Sequence, residues 1–372
     1  MRIAIYAGCF KENQDGATKT LYKLADALLA EAHDTGIWAY ALSPKKHPGL
    51  MLHLLPSLPL PLYSDYRIAL PILRTLRQLE NFRPDVIHVT VPDFAGLAIS
   101  QFAVKRRIPA IASFHTDFAS YFKYYHLSFT VSTAWRYGVW FYNRFRWVYA
   151  PTEVMAAELR RRGIKNVRLW SRGIDRDFFH PRFRSEDMRR DWGADGKKVI
   201  LFAGRFAPFK DLDVFVQVYK LFNMNHLGET VFVLAGDGPL KEKLMEEMPK
   251  AIFTGYLPPR ELGAAYASAD VFLFPSTTET LGNVVQEALS SGLPAVVSDA
   301  GGCSEIVEKA DGGLVARAGR SEDFFEYCLR LIRDESFYLE KRENGLKFAD
   351  TRSWEAINQR LISDYRTLIP PG

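Results

Sequence analysis

Cysteine is scarce. The chain of 372 residues holds Cys9, Cys303 and Cys328 only. An odd count leaves one thiol unpaired, and the spacing forms neither a disulfide framework nor a metal-ligand pattern. That usage fits a reducing compartment. No apolar run approaches the roughly 20 residues needed to cross a bilayer. The opening MRIAIYAGCF is one short apolar run before polar KENQDG. It lacks the length and flanks of a signal peptide and reads as a first strand. There is no G-x-G-x-x-G followed by an acid about 20 residues on, which argues against a hydride-transferring dehydrogenase. There is no P-loop ending in Lys-Ser/Thr either. Charge of one sign is not concentrated: 48 Lys and Arg against 43 Asp and Glu give a net +5. That excess permits an anionic partner but does not describe a nucleic-acid binder. The expectation is a cytoplasmic protein without a nucleic-acid partner, with contact to a membrane surface left open.

What is present describes a folded α/β chain. Hydrophobic residues make up 48% and charged residues 24%, as in globular proteins, and the length suggests two domains. Arg2–Ala7 reads as a strand, Gly8–Gly16 as a loop, and Ala17–Ala30 as a helix with Leu21, Leu24, Ala25 and Leu28 on one face. A breaker at Arg83-Pro84-Asp85 precedes 86-VIHVT-90, and 109-PAIASFH-115 is another buried-type strand. A second cycle runs through 198-KVILFAGRF-206, 231-VFVLAGDGP-239, 252-IFTGYL-257, 270-DVFLFPS-276 and 295-AVVSDA-300. Near-continuous apolar strands separated by helices argue for parallel sheets covered on both faces. The polar stretch Asp175–Asp195 joins the cycles, and Trp354, Ile357, Leu361, Tyr365 and Leu368 mark a terminal helix. The expected division is residues 1–175, 176–351, and a final helix at 352–372 that packs back on the first domain. Open α/β sheets bind ligands at the carboxyl ends of their strands.

The segment 121-YFKYYHLSFTVSTAWRYGVWFYNRFRWVY-149 is rich in aromatics and arginines. It reads either as helices whose aromatics are core or as a basic-aromatic surface for a bilayer or an amphipathic acceptor.

Several loops follow predicted strands. Gly16 closes 8-GCFKENQDG-16, where backbone N–H groups could meet an anion, or where a glycine simply turns the chain. In 204-GRFAPFK-210, Gly204 leads to Arg205 and Lys210, a fork and a point charge suited to a diphosphate, or two solvated cations. Gly236 and Gly238 follow the next strand. In 275-PSTTETLGNVVQEALSSGLP-294, Glu279 lies on a loop and Glu287 on the helix after Gly282. The N–H groups near Leu281, Gly282 and Asn283 are placed for a phosphate. The two acids are eight positions apart, not the i,i+4 pair of a helix-mounted carboxylate site. No histidines nearby complete a metal site, and carboxylates accept hydrogen bonds from sugar hydroxyls. His115 follows a buried strand with Thr116 and Asp117 beside it, either a structural histidine or a substrate contact.

Together the Gly16 loop, the His115 loop, 204-GRFAPFK-210, 236-GDGP-239 and the E-x7-E of Glu279 and Glu287 resemble the retaining glycosyltransferases of family 4. The resemblance spans essentially the whole chain and implies the GT-B fold, two Rossmann-like domains facing each other across a cleft. It implies a nucleotide diphosphate sugar as donor, GDP- or UDP-linked, and no cofactor or metal. Arg205 and Lys210 would neutralise the departing diphosphate, Glu287 would bind the ribose, and Glu279 would sit by the transferred sugar. Gly204, Gly236, Gly238, Leu281, Gly282 and Asn283 would line the donor site. His115 would contact a far hydroxyl of the sugar, and Gly16 would approach the phosphates. The stretches 114-FHTDFASYFKYY-125 and 168-RLWSRGIDRDFFHPRFRSEDMR-189 resemble the branch of sulfoquinovosyl-diacylglycerol synthases and GDP-mannose-dependent mannosyltransferases. That branch implies a lipid or glycan acceptor and a peripheral membrane location. Leu281 stands where phenylalanine is usual and Ser291 where cysteine is common. A soluble acceptor and a non-catalytic nucleotide-sugar binder are the alternatives, and a binder has little use for His115.

Overall fold

Apolar runs such as 199-VILFA-203 and 271-VFLF-274 form strands that are buried on both faces. Such strands need helices on each side of their sheet, and the chain builds two sheets of this kind. The computed structural model describes residues 1–11, 16–43, 48–60, 63–117, 130–225 and 230–369. The chain divides into one unit of Met1–Arg172 with the segment from Trp354 onward, and a second of Gly173–Ser353.

The first unit contains β1 (Arg2–Phe10), β2 (Asp34–Leu42), β3 (Leu50–Leu54), β4 (Ser57–Leu60), β5 (Tyr63–Ala69), β6 (Val86–Val89), β7 (Ala110–Ser113), β8 (Val148–Ala150) and β9 (Val167–Leu169). Its parallel sheet has the order β3-β2-β1-β6-β7-β8-β9, and β4 and β5 form a separate antiparallel pair. Along β1 the side chains alternate between two cores. Ile3, Ile5 and Ala7 pack with Leu21, Leu24 and Leu28 of the helix Gly16–Ala30 and with Leu361, Ile362 and Tyr365 of the helix Trp354–Leu368. Ala4 and Tyr6 face the opposite core with Ile99 and Phe102. The terminal helix is also tied down by polar contacts. Asn358 Nδ2 donates to the Lys23 carbonyl at 3.0 Å, and the Tyr149 hydroxyl donates to Asp364 at 2.6 Å.

One sequence expectation changes here. β1 runs on to Phe10, because pairing with β2 continues past a register shift near Gly8. The residues 12–15 of the first glycine loop, and 121–129 of the aromatic segment, lie outside the described residues. The rest of that segment forms the helix Val131–Tyr142 and β8. Trp135, Phe141, Tyr142 and Phe145 are buried, whereas Tyr137 and Trp140 are exposed. The core reading holds for the first four, and the last two lie outside the core. Among the described residues, no helix is long and apolar enough to cross a membrane.

The second unit contains β10 (Lys198–Ala203), β11 (Thr230–Ala235), β12 (Ile252–Gly255), β13 (Val271–Phe274), β14 (Ala295–Ser298) and β15 (Gly313–Ala316). All neighbours are parallel, in the order β12-β11-β10-β13-β14-β15. The chain moves outward from β10 to β12, then returns to the other side of β10 as β13. That reversal opens a crevice at the carboxyl ends of β10 and β13.

The base of this sheet is pinned by a buried cation. Arg189 lies on the helix Glu186–Asp191, which Ser185 caps by accepting from the Met188 N–H at 3.1 Å. Its guanidinium donates to the Ser268 carbonyl at 2.6 Å and to Asp270 at 3.1 Å. It also reaches the carbonyls of Ala194 and Lys197 at 3.2 and 2.5 Å. Removing one partner of a buried ion pair leaves the other charge and its acceptors stranded. Arg189→Ala should therefore destabilise the second unit by roughly 3–5 kcal/mol in denaturant unfolding. A loss below about 1 kcal/mol, the range of a surface pair, would show that the network carries little stability.

Candidate functional site

The loops leaving β10 and β13 are laced together. After β10 the chain runs Gly204-Arg205 and then makes a short 3-10 turn, Pro208–Lys210. Asp211 follows in the left-handed conformation, φ 51°, and opens the helix Leu212–Met224. Its carboxylate accepts from both the N–H and the hydroxyl of Thr277, each at 2.8 Å. The Phe209 carbonyl accepts from the hydroxyls of Ser276 at 3.2 Å and Thr278 at 2.9 Å. These bonds fix where Lys210 and Glu279 meet, and the two form an ion pair. The pair is largely enclosed, at 14% and 22% side-chain exposure, so solvent screens it less than a surface pair. The Lys210 ammonium also lies 5.4 Å from the Phe274 ring centroid. Arg205, on the same loop, is exposed.

Backbone closeness defines the rest of this edge. The Gly204 N–H donates to the Ala235 carbonyl and the Phe206 N–H to that of Asp237, both at 2.9 Å. The β11 loop thus lies against the β10 loop, and a Cβ on Gly236 would run into the Gly204 carbonyl. Gly238 sits against the Phe206 backbone in the same way. Gly282 has φ 87° and opens the helix Asn283–Ser290 with no capping side chain. A substituent there would strike the Cys303 sulfur. Leu281 is buried under the turn, and Asn283 is partly exposed. In the first turn of Asn283–Ser290 the Val285 and Gln286 N–H groups donate to the Gly282 carbonyl, and the helix dipole makes that end favourable to anions.

Glu287 lies one turn further along and is 9% exposed. The Tyr266 hydroxyl approaches it closely enough for the carboxylate charge to add to burial, the larger cause, in holding the phenol well above its usual range. The contact falls short of hydrogen-bond geometry. Burial likewise raises the Cys303 thiol; the Glu279 charge adds to the rise and Lys210 opposes it. Cys303 is therefore a neutral wall beside the ion pair.

The first unit places His115 two residues after β7 and Gly16 at the start of its first helix. His115 Nε2 lies 2.8 Å from Ser113 Oγ, and Nδ1 lies 3.2 Å from the Arg172 guanidinium. The residue as a whole is half-buried, and the imidazole pKa is held well below 6.5 by burial first, then by Arg172 and His88. The imidazole is neutral at physiological pH. The Gly16 carbonyl accepts from Thr20 Oγ1 at 2.8 Å.

The sequence reading singled out Lys210 and Glu279 without joining them. It missed Asp211, Thr277, and the pair Gly301-Gly302, whose Gly302 N–H donates to the Glu279 carbonyl at 2.7 Å. The signal for the last was present as 300-AGGCSE-305, two glycines between a strand and a helix. Among the described residues, no group of three or more His, Cys, Asp or Glu could hold a metal ion.

Comparison with known proteins agrees across the chain. Residues 14–178 match the model of Glycosyltransferase Family 4, and residues 197–334 match that of Glycosyl transferases group 1. A GDP-mannose-dependent alpha-mannosyltransferase of Corynebacterium glutamicum is 31% identical over 99% of this chain and 89% of its own. Sulfoquinovosyl transferase SQD2 of Arabidopsis thaliana is 32% identical over 88% of this chain and 64% of its own. Among solved structures, Anabaena Alr3699/HepE in complex with UDP-glucose superposes with TM-score 0.79 at 19% identity, covering 99% of this chain and 100% of that one. That likeness identifies the two Rossmann-like units as a GT-B-type α/β fold. With both units matched and full-length relatives above 30% identity, the chain belongs to glycosyltransferase family 4 and is a glycosyltransferase that uses a nucleotide-sugar donor.

Proposed function

We propose that this enzyme transfers a hexosyl unit, with retention at the anomeric carbon, from a nucleoside diphosphate sugar to a lipid or lipid-linked acceptor. The favoured donor is GDP-mannose, because the full-length relatives at 30–32% identity are named as GDP-mannose-dependent mannosyltransferases. The observation that carries the reading is the Lys210–Glu279 pair at the point where strand order reverses. Glu279 holds the ammonium in place before a ligand arrives, so little ordering remains to be done when a diphosphate binds. Arg205 brings the second cation. In this assignment both act on the charge that builds on the leaving diphosphate, which is transition-state stabilisation.

The remaining roles follow from chemistry and resemblance. Gly204, Gly236, Gly238, Leu281, Gly282 and Asn283 present backbone to the donor, and Glu287 accepts from the ribose hydroxyls. Glu279 also accepts from the transferred sugar. His115 and Gly16 of the first unit are assigned to the sugar and the phosphates. The C1–phosphate bond breaks as the acceptor oxygen bonds to C1 on the same face, and the acceptor proton passes to the departing phosphate. No protein carboxylate acts as nucleophile, unlike the retaining glycosidases.

The acceptor reading draws on the helix Val131–Tyr142. Trp140 is 49% exposed, with the Arg144 guanidinium 4.9 Å from its ring centroid. An exposed tryptophan with a half-buried arginine beside it suits an interfacial, anionic surface. Relatives named as an alpha-monoglucosyldiacylglycerol synthase and a phosphatidylinositol dimannoside mannosyltransferase support a lipid acceptor, and a cytoplasmic, membrane-peripheral location goes with it.

Two substitutions separate turnover from binding. Lys210→Ala should lower kcat about 100- to 1000-fold, the loss usual for one preorganised charge-stabilising donor; a kcat near wild type would remove the diphosphate assignment. Glu287→Ala should weaken donor affinity about 10- to 100-fold by calorimetry while leaving kcat at saturation largely intact. Unchanged affinity would contradict the ribose role.

A further inference from the structure

A line of polar groups runs through the core of the first unit, where apolar packing would be the simpler solution. His88 on β6 and Tyr365 on the terminal helix are both fully buried, and Ser113 on β7 is 1% exposed. Tyr365 Oη lies 2.7 Å from His88 Nδ1, and His88 Nε2 lies 3.0 Å from Ser113 Oγ. Ser113 Oγ lies 2.8 Å from His115 Nε2, and His115 Nδ1 lies 3.2 Å from Arg172 Nη2. Five side chains thus form one continuous chain, in which His115, the residue assigned to the substrate, stands next to the Arg172 end. Trp170 packs against both imidazoles, with centroids 5.6 Å from each, and its indole N–H donates to Asn358 at 3.4 Å.

The chain has a direction. A guanidinium only donates, so His115 Nδ1 accepts from Arg172 and carries no proton. His115, being neutral, then carries its proton on Nε2 and donates it to Ser113 Oγ. With the serine hydroxyl donating to His88 Nε2, the His88 proton sits on Nδ1, and Nδ1–H donates to Tyr365 Oη. Burial holds the pKa of His88 down to about 3, which keeps this imidazole neutral as the scheme requires.

We propose that Tyr365, His88 and Ser113 are positioning residues for transfer, a relay that keeps His115 with Nε2 as donor once Arg172 yields, and so keeps Nδ1 as the acceptor offered to a hydroxyl of the bound sugar. In this structure Arg172 occupies that acceptor at 3.2 Å, and it is the contact that yields to a ligand. The terminal helix then serves the reaction as the far anchor of a tautomer as well as a brace for the fold. The inference rests on the reading that His115 meets the transferred sugar.

The test is 15N NMR of the imidazoles in the full-length enzyme, combined with two conservative variants. In the wild type, His115 should be protonated at Nε2 alone and His88 at Nδ1 alone. The opposite tautomer at either ring, or a cationic His115 at neutral pH, would overturn the relay. Tyr365→Phe keeps the ring and removes only the hydroxyl, and Ser113→Ala removes the central link. Each should lower kcat about tenfold, the worth of one hydrogen bond, with donor Kd changed less than about twofold. In each, the His115 signals of the donor-bound enzyme, where Arg172 has yielded, should shift toward a tautomer mixture. Wild-type kcat with unchanged imidazole signals in both variants would sink the proposal. His115→Ala separates this from the site reading: loss of turnover supports the substrate role. Full turnover removes that role, while the wild-type tautomers still report on the relay alone.

Discussion

The ion pair of Lys210 and Glu279 joins two loops that are 69 positions apart in sequence and adjacent at the ends of β10 and β13. The rest of the second unit's candidate site depends on that junction. The strand order makes it possible, since the return of the chain to the far side of β10 leaves these two loops without a helix lying over both. Asp211 and Thr277 then set the spacing through two bonds of 2.8 Å. Around this fixed cation the glycines have one task, to let backbone approach backbone, as the Gly236 and Gly204 loops do. A charged ligand that spans several anionic oxygens finds an ammonium, a helix N-terminus and an exposed guanidinium on one sheet edge.

The two units handle polar groups differently, and the contrast fits the proposed division of labour. At the candidate site of the second unit charge is kept near the surface of the crevice, with a neutral buried thiol, Cys303, behind it, while the buried Arg189 pair sits away from it at the base of the sheet. In the first unit uncharged polar groups penetrate the core, where His88 remains neutral because burial opposes its protonation. A neutral histidine suits recognition of a sugar hydroxyl, which needs a defined acceptor more than a charge. The diphosphate end needs cations whose positions do not depend on solvent reorganisation.

The sheets were legible because parallel strands covered on both faces must be apolar at consecutive positions, as in 198-KVILFA-203 and 270-DVFLF-274. The terminal helix was legible from its three- and four-residue steps. The three-residue strands β8 and β9 carry too few positions to show a period, and β15, at the sheet edge, reads as an ordinary glycine-containing turn. Within the site, residue types and strand-end positions were readable, but partners were not. Nothing local joins Lys210 to Glu279; only sheet order does. His88 reads as one polar residue in an apolar strand, and the chain it forms with Tyr365 spans 277 positions. Long-range pairs of this kind are properties of topology, and a single sequence records the two ends without the link.

The central claim is that the second unit holds a diphosphate, not merely a nucleoside. It is tested most directly by titrating the enzyme with nucleoside mono- and diphosphates of the same base, guanine and uracil both, in low and high salt. For the base that binds, the account predicts a diphosphate affinity at least about tenfold above that of the monophosphate, with the gap narrowing as salt screens the cations. Equal affinities for the two, insensitive to salt, would contradict it.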